Sequence, residues 1–500
     1  MTSLIKHKES LLKLILAGLL LLFALLTCYV FLHGKYRLAQ EDEATYYNGA
    51  RVFAETGWVR AARTNTETVS KIWQCDWYGP MYHIFFGSVD KIAGVHDYNF
   101  IITNLICFML IIALVMRASF TIEQKLLIIC SLLSLHYIVG YIFTYFPQTV
   151  ELLFATILTL LLRQLFYLKP ESKEYKKKYL LYILLVIFFS LFKVTIVLWI
   201  FGLLAFSVSK KDFLQKLGIG IGCGILIYIY MLYFNAPYAP KTGMAQITQG
   251  ALGFRTIFFL IKRLAENILV YCTHNPFYDN FQGIIFLIAI YSCAVTKNKL
   301  LLAACIISFL YYIILTTLYL IAPFYFNKQT ACLYILLFIA FYTATAPVSR
   351  YAMFSLILLF SPITYFESYS LAKERKEMAI QNDMAKPFIS QIEQLKNKIE
   401  GGKERTVLTL YKEFDDKIPF EVFETNLPAA TTDRFPILFT YNFSNNIKVD
   451  GNNPYELNFV TKGKIHIDYI LSKYPLKIDS TSLTYSCNSF YLYKNLKKVN

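Results

Sequence analysis

Runs of about 18 or more apolar residues recur along this chain, and each is long enough to cross a hydrocarbon core of roughly 30 Å as a helix. An ordinary water-soluble fold has no place for them, because 56% of the 500 residues are hydrophobic and only 16% are charged. The runs lie at about 11 to 33, 98 to 117, 124 to 146, 148 to 168, 217 to 234, 281 to 296, 299 to 322, 329 to 346 and 349 to 366. Residues 179 to 207 are too long for one comfortable span and carry Lys193 at their middle, so two short helices turning back near Lys193 are expected. That makes eleven crossings. The first run follows Lys6 and Lys8 as a signal peptide would, yet it is too long and lacks a small-residue cleavage site, so it reads as a retained span.

The formal net charge of +16 does not point to nucleic acid, because the cations sit in short loops between apolar runs. Lys6, Lys8 and Lys13, then Arg117 and Lys125, then Arg163 to Lys178, Lys210 to Lys216, Lys297 and Lys299, and Arg350 all fall on one side of the expected topology. The positive-inside rule makes that side the cytoplasm. An odd number of crossings then places the N-terminus in the cytoplasm of a bacterial inner membrane, and the first loop, 34 to 97, with the polar tail, 367 to 500, on the periplasmic side.

Two domains are expected. Residues 1 to 366, including the loop 34 to 97, form the transmembrane module, and 367 to 500 form a small α/β domain. The tail changes composition at Glu367, with a charged helical stretch to about Glu400. Short β-like runs follow at Val407 to Tyr411, Pro436 to Tyr441, Ile465 to Leu471 and Phe490 to Tyr493. The fold class is therefore an α-helical polytopic membrane protein with a small C-terminal α/β domain. Eight of the ten cysteines lie within or beside apolar segments and read as small hydrophobes. Cys75 and Cys487 lie in polar stretches and are the two candidates for a disulfide.

The first loop is the most informative stretch for function. Glu41, Asp42 and Glu43 stand in a row shortly after the first span, ahead of "ATYYNGARVFAETGW". Such a cluster suits a solvated helix N-terminus, where negative charge is favourable, or a general base or metal-ligand pair at the membrane surface.

The order "DEATYYNGARVFAETGWV", then "WYGPMYHIFFGSVDKIAG", then a span, resembles the first periplasmic loop of the GT-C superfamily of membrane glycosyltransferases, in particular the protein O-mannosyltransferases and the lipid A aminoarabinose transferases. Asp42, Glu43, Ala50, Arg51, Gly57, Trp58, Pro80, Tyr82 and Gly94 fall on the family pattern. The overall layout is similar to that of phage-derived, serotype-converting O-antigen glucosyltransferases. The resemblance implies that Asp42 is the catalytic base with Glu43 beside it, and that the donor is a polyprenyl-phosphate sugar. It implies transfer with inversion to a periplasmic glycan or lipid-linked acceptor, with glucose and lipopolysaccharide O-antigen as the narrowest form.

Such a donor needs cations for its leaving phosphate. Lys193, Arg263 and Lys328 are the candidates, and Lys193 stands out because charge inside a membrane is usually functional. Arg51, Tyr82 and Trp77 are the expected sugar or acceptor contacts. No cofactor is required by the sequence; a divalent metal held by His83 and His274 with Asp42 or Glu43 is the one that stays open. The rival functions are a lipid-linked glycan transporter, which should show related halves, and an O-antigen polymerase or ligase, whose large catalytic loop usually comes late in the chain.

Overall fold

A computed structural model of the protein describes residues 2–33, 41–61, 63–65, 72–75, 79–96, 98–234, 258, 261–262, 264–267, 269, 281–318, 329–384, 390–391, 394–395, 397–403, 405–409, 431–432, 435–441, 467–472, 475, 481–487 and 490–496. It divides into two compact units. A helical unit comprises Met1–Gly34, Ile101–Met231 and Pro240–Ala372, and a mixed unit comprises Lys35–Phe100, Leu232–Ala239 and Lys373–Asn500.

Over the described residues every expected span falls on a helix or on a pair of helices; residues 319–322 of the span expected at 299 to 322 lie outside them. These helices are α1 (Thr2–Leu32), α4 (Asn99–Arg117), α5 (Ile122–Leu133) with α6 (His136–Ile142), α7 (Gln148–Tyr167), α8 (Lys173–Ser190) and a 3-10 helix (Val194–Phe206). Then come α9 (Lys210–Phe234), α10 (Phe281–Thr296), α11 (Lys299–Leu318), α12 (Leu333–Ala344), α13 (Pro347–Leu358) and α14 (Ser361–Met384). Two more helices, α2 (Glu41–Thr56) and α3 (Met81–Ala93), belong to the first loop. By length and composition five stretches among the described residues can cross a membrane alone, and a sixth if the bent pair α5 and α6 is one span. The shorter apolar helices include α10, α12 and the 3-10 helix. The protein is a multi-pass membrane protein.

Inside a bilayer every backbone break has to be satisfied by protein, and at two breaks among the described residues of the helical unit side chains supply partners. Between α5 and α6 the chain bends by 69°. Thr364 Oγ1 donates to the freed carbonyl of Ser134 there, at 2.6 Å. After α8 the chain reverses at Leu191–Lys193, as expected. The hydroxyl of Tyr182 donates to the carbonyl of Trp199 at 2.7 Å, which joins residues some eight positions either side of the turn and so requires an antiparallel hairpin. Tyr230 on α9 donates to the carbonyl of Leu191 at 2.9 Å.

The mixed unit carries a sheet whose order is β1-β4-β2-β5-β7-β6, with β3 on β4. Its strands are β1 (Arg63–Asn65), β2 (Arg405–Thr409), β3 (Thr431–Thr432), β4 (Phe435–Tyr441), β5 (Tyr469–Ser472), β6 (Thr481–Ser486) and β7 (Tyr491–Asn495). The centre is parallel, β4 with β2 and β2 with β5, while β7 and β6 add antiparallel. β2 and β5 are buried throughout, as central parallel strands covered on both faces should be. The four expected strands are all present within a few residues. β1, β3 and β6 are additions, and of these β1, Arg63–Asn65, comes from the first loop and lies parallel to Phe439–Tyr441 of the tail. No disulfide joins Cys75 and Cys487, so the candidate bridge does not form. The Cys75 amide donates instead to the carbonyl of Phe234.

Candidate functional site

The acidic triplet opens α2, where helix N-terminal amides favour negative charge. Glu43 is the described carboxylate of the three; the side chains of Glu41 and Asp42 lie outside the described residues, as do Trp77, Arg263, His274 and Lys328. Glu43 is 0% exposed and forms an ion pair with Arg375, itself 2% exposed, on the part of α14 that belongs to the mixed unit. A buried carboxylate needs such a partner, since isolated burial of the charge costs several kcal/mol. Glu43 is thus committed to holding the start of α2, and Arg375 is a residue that sequence reasoning missed. It sits in the charged run "AKERKE", which reads as a solvated helix face. Only the buried environment of Arg375 distinguishes it from its neighbours.

α2 packs against α3 through small residues. A Cβ on Gly87 would lie 2.5 Å from the carbonyl oxygen of Ala50, and one on Gly49 would lie 1.9 Å from His83 Nδ1. The two helices approach as closely as glycine allows. His83 is buried by this approach, and desolvation lowers its pKa from 6.5 to about 4, so the imidazole is neutral at physiological pH. Tyr82 is buried as well, edge-on to Tyr46 at 6.1 Å between ring centres. Its ring is a core element of the α2–α3 pair. Arg51 is half-exposed and donates through Nε to Glu55 Oε1 at 2.7 Å. α2 then stops at Gly57, whose φ of +74° is the left-handed geometry that lets the chain leave the helix. Asn99 ties the far end of α3 to the start of α4, donating to Asp90 Oδ1 and to the Gly94 carbonyl, both at 2.6 Å.

Within the helical unit a second polar centre forms around Lys193, which is 2% exposed. Its ammonium pairs with the buried carboxylate of Glu151 on α7 and lies 3.4 Å from the carbonyl oxygen of Gln329. Gln329 follows Lys328 in the sequence, and Lys328 itself lies outside the described residues. The next residue, Thr330, exchanges hydrogen bonds with Gln282 on α10; Gln282 Nε2 reaches the Thr330 carbonyl at 2.7 Å. Glu151 is the second residue that sequence reasoning missed: it lies in "FPQTVELLFATIL", where one carboxylate one turn into a span carries no motif. Lys262 is exposed, 3.7 Å from Glu266, which suits an interfacial lysine.

No group of three or more His, Cys, Asp or Glu side chains that could hold a metal occurs among the described residues. His83 Nδ1 is closed off against Gly49, and Glu43 is taken by Arg375.

No protein-family model matches the chain, and no curated protein matches it in sequence. Solved structures do match it in three dimensions. ArnT from Cupriavidus metallidurans, bound to undecaprenyl phosphate, superposes with a TM-score of 0.51 at 11% identity, over 97% of this chain and 99% of its own. The chain has the GT-C fold. The oligosaccharyltransferase of Archaeoglobus fulgidus, in complex with Zn and sulfate, matches with a TM-score of 0.52 at 12% identity, over 91% of this chain and 68% of its own. At these identities the likeness concerns the fold. Within this fold, the acidic opening of α2 and the paired Lys193 are two polar centres among the described residues.

Proposed function

We propose that this protein transfers a sugar from a polyprenyl-phosphate donor to an acceptor hydroxyl on the outer side of the membrane. The observation that carries the proposal is the GT-C fold, matched along nearly the whole length of a protein whose structure holds undecaprenyl phosphate. The acidic opening of α2 supports it from the sequence side. In the reaction, Asp42 takes the proton of the acceptor hydroxyl as the oxygen attacks the anomeric carbon from the face opposite the phosphate. The glycosyl C–O bond breaks with inversion, and polyprenyl phosphate leaves with the bonding pair.

Glu43 acts as a positioning residue, through Arg375, because a base on the first turn of α2 is only as well placed as that turn. Lys193, with Arg263 and Lys328, stabilises the leaving phosphate, and Glu151 holds the Lys193 ammonium in place before donor arrives. Arg51 and Trp77 are the acceptor-side contacts; Tyr82, on α3, supports α2, which carries Arg51. Glucose as the sugar, lipopolysaccharide O-antigen as the acceptor, and a bacterial inner membrane with the mixed unit in the periplasm are the narrower form of the proposal.

The test follows sugar transfer from polyprenyl-phosphate donor in membranes, with expression matched between variants. Asp42→Asn keeps shape but removes basicity, so activity should fall roughly 10²- to 10⁴-fold. Glu41→Gln, which has no counterpart in the family pair, should leave it unchanged. Transfer at the wild-type rate by Asp42→Asn would remove the base from the proposal and favour a lipid-linked glycan transporter.

A further inference from the structure

Away from both polar centres, the hairpin of α8 and the 3-10 helix returns the chain to the level of the α8 N-terminus, where α9 begins. Between these two helix starts lies an open cleft of about 700 Å³. Tyr175, Lys176 and Tyr179 line it from one face of α8, and Asp212, Gln215 and Lys216 from the first turns of α9. Its size suits a small polar headgroup.

The charges around it are strongly asymmetric. α8 opens with Lys173, Lys176, Lys177 and Lys178 against Glu174, and α9 opens with Lys210, Lys211 and Lys216 against Asp212. Two of these cations are already matched, Lys178 by Glu174 and Lys216 by Asp212, each at 2.8 Å. Lys176 lines the cleft and has no carboxylate partner among the described residues. The tyrosine rings of residues 175 and 179, stacked 5.9 Å apart, add two hydroxyl-bearing rings to the lining. α9 continues from the cleft as one of the five membrane-spanning candidates, with only 11% of its apolar window buried by protein. Gly218 and Gly222, one turn apart on the same face, have no atom within 4 Å of where a Cβ would stand, so this helix offers open, shallow surface next to the cleft.

We infer that this cleft binds the headgroup of an anionic phospholipid. Lys176 pairs with the phosphodiester, the hydroxyls of Tyr175 and Tyr179 and the amide of Gln215 donate to its oxygens, and the acyl chains run along the glycine-lined face of α9. The charge pattern excludes a zwitterionic headgroup as the preferred occupant, because the excess cation would face choline. A soluble phosphate would gain nothing from the open face of α9. The inference stands independently of the glycosyl-transfer proposal.

Native mass spectrometry of the full-length protein in detergent, titrated with phosphatidylglycerol or phosphatidylcholine, tests it. One phosphatidylglycerol should be retained in preference to phosphatidylcholine, and Lys176→Gln should weaken that retention about five-fold, the value of one cation near an anionic surface. Lys173→Gln, outside the cleft, should leave it unchanged, and millimolar glycerol 1-phosphate should not displace the lipid. Equal retention of both lipids, no effect of Lys176→Gln, or displacement by glycerol 1-phosphate would each overturn the inference, the last in favour of a soluble phosphate ligand.

Discussion

Removing one member of the Glu43–Arg375 pair should be the most damaging change in the mixed unit that leaves its apolar core intact. Glu43 is 0% exposed and Arg375 2%, so neither charge can turn to water when its partner is lost. Breaking a buried pair from one side costs about 3–5 kcal/mol, because the remaining buried charge loses its counter-ion. For a unit of this size each kcal/mol moves the melting temperature by roughly 2–4 °C, so Arg375→Met should lower it by about 6–20 °C. Glu43→Gln should cost a similar amount. The double variant Glu43→Gln/Arg375→Met should recover much of the loss, since no charge then stays buried. The assay is thermal unfolding of the purified protein in detergent at a fixed scan rate, because unfolding of such a protein is kinetically controlled. Single variants that melt within about 2 °C of wild type, or a double variant whose loss is the sum of the two, would refute the coupling that the structure implies.

The membrane cluster gives a parallel expectation with a different readout. Lys193→Met should weaken binding of polyprenyl phosphate and also lower thermal stability, by stranding Glu151; Lys193→Met/Glu151→Leu should restore stability without restoring binding, and unchanged lipid binding in either variant would return Lys193 to a purely structural role. Acid should act through His83. Its pKa is about 4 when folded against 6.5 when free, so the unfolded chain takes up the proton first and stability drains away as pH falls from 6.5 towards 4. The full loss is about 3 kcal/mol, at 1.36 kcal/mol for each tenfold difference in proton affinity. Melting curves of His83→Gln should lack that component of the pH dependence, and identical profiles for the two proteins would count against a neutral buried imidazole.

What the sequence determined by itself was the membrane character, the helical spans and the reversal at Lys193. Each of these follows from local chemistry: twenty apolar residues in a row exclude water, and a lysine in the middle of such a run forces a break. The four strands of the tail were legible for the same reason, as β-rich runs between turn residues, and so was the acidic opening of α2. Tertiary structure alone decided what those polar residues meet. β1 is three polar residues, Arg63–Asn65, and its pairing with β4 is made by backbone groups that every sequence has. Glu43 meets Arg375 across 332 positions, and Lys193 meets Glu151 across 42. A charged side chain reads the same in sequence whether water or a counter-ion will surround it. Only the packing that removes the water determines which carboxylate meets a buried counter-ion.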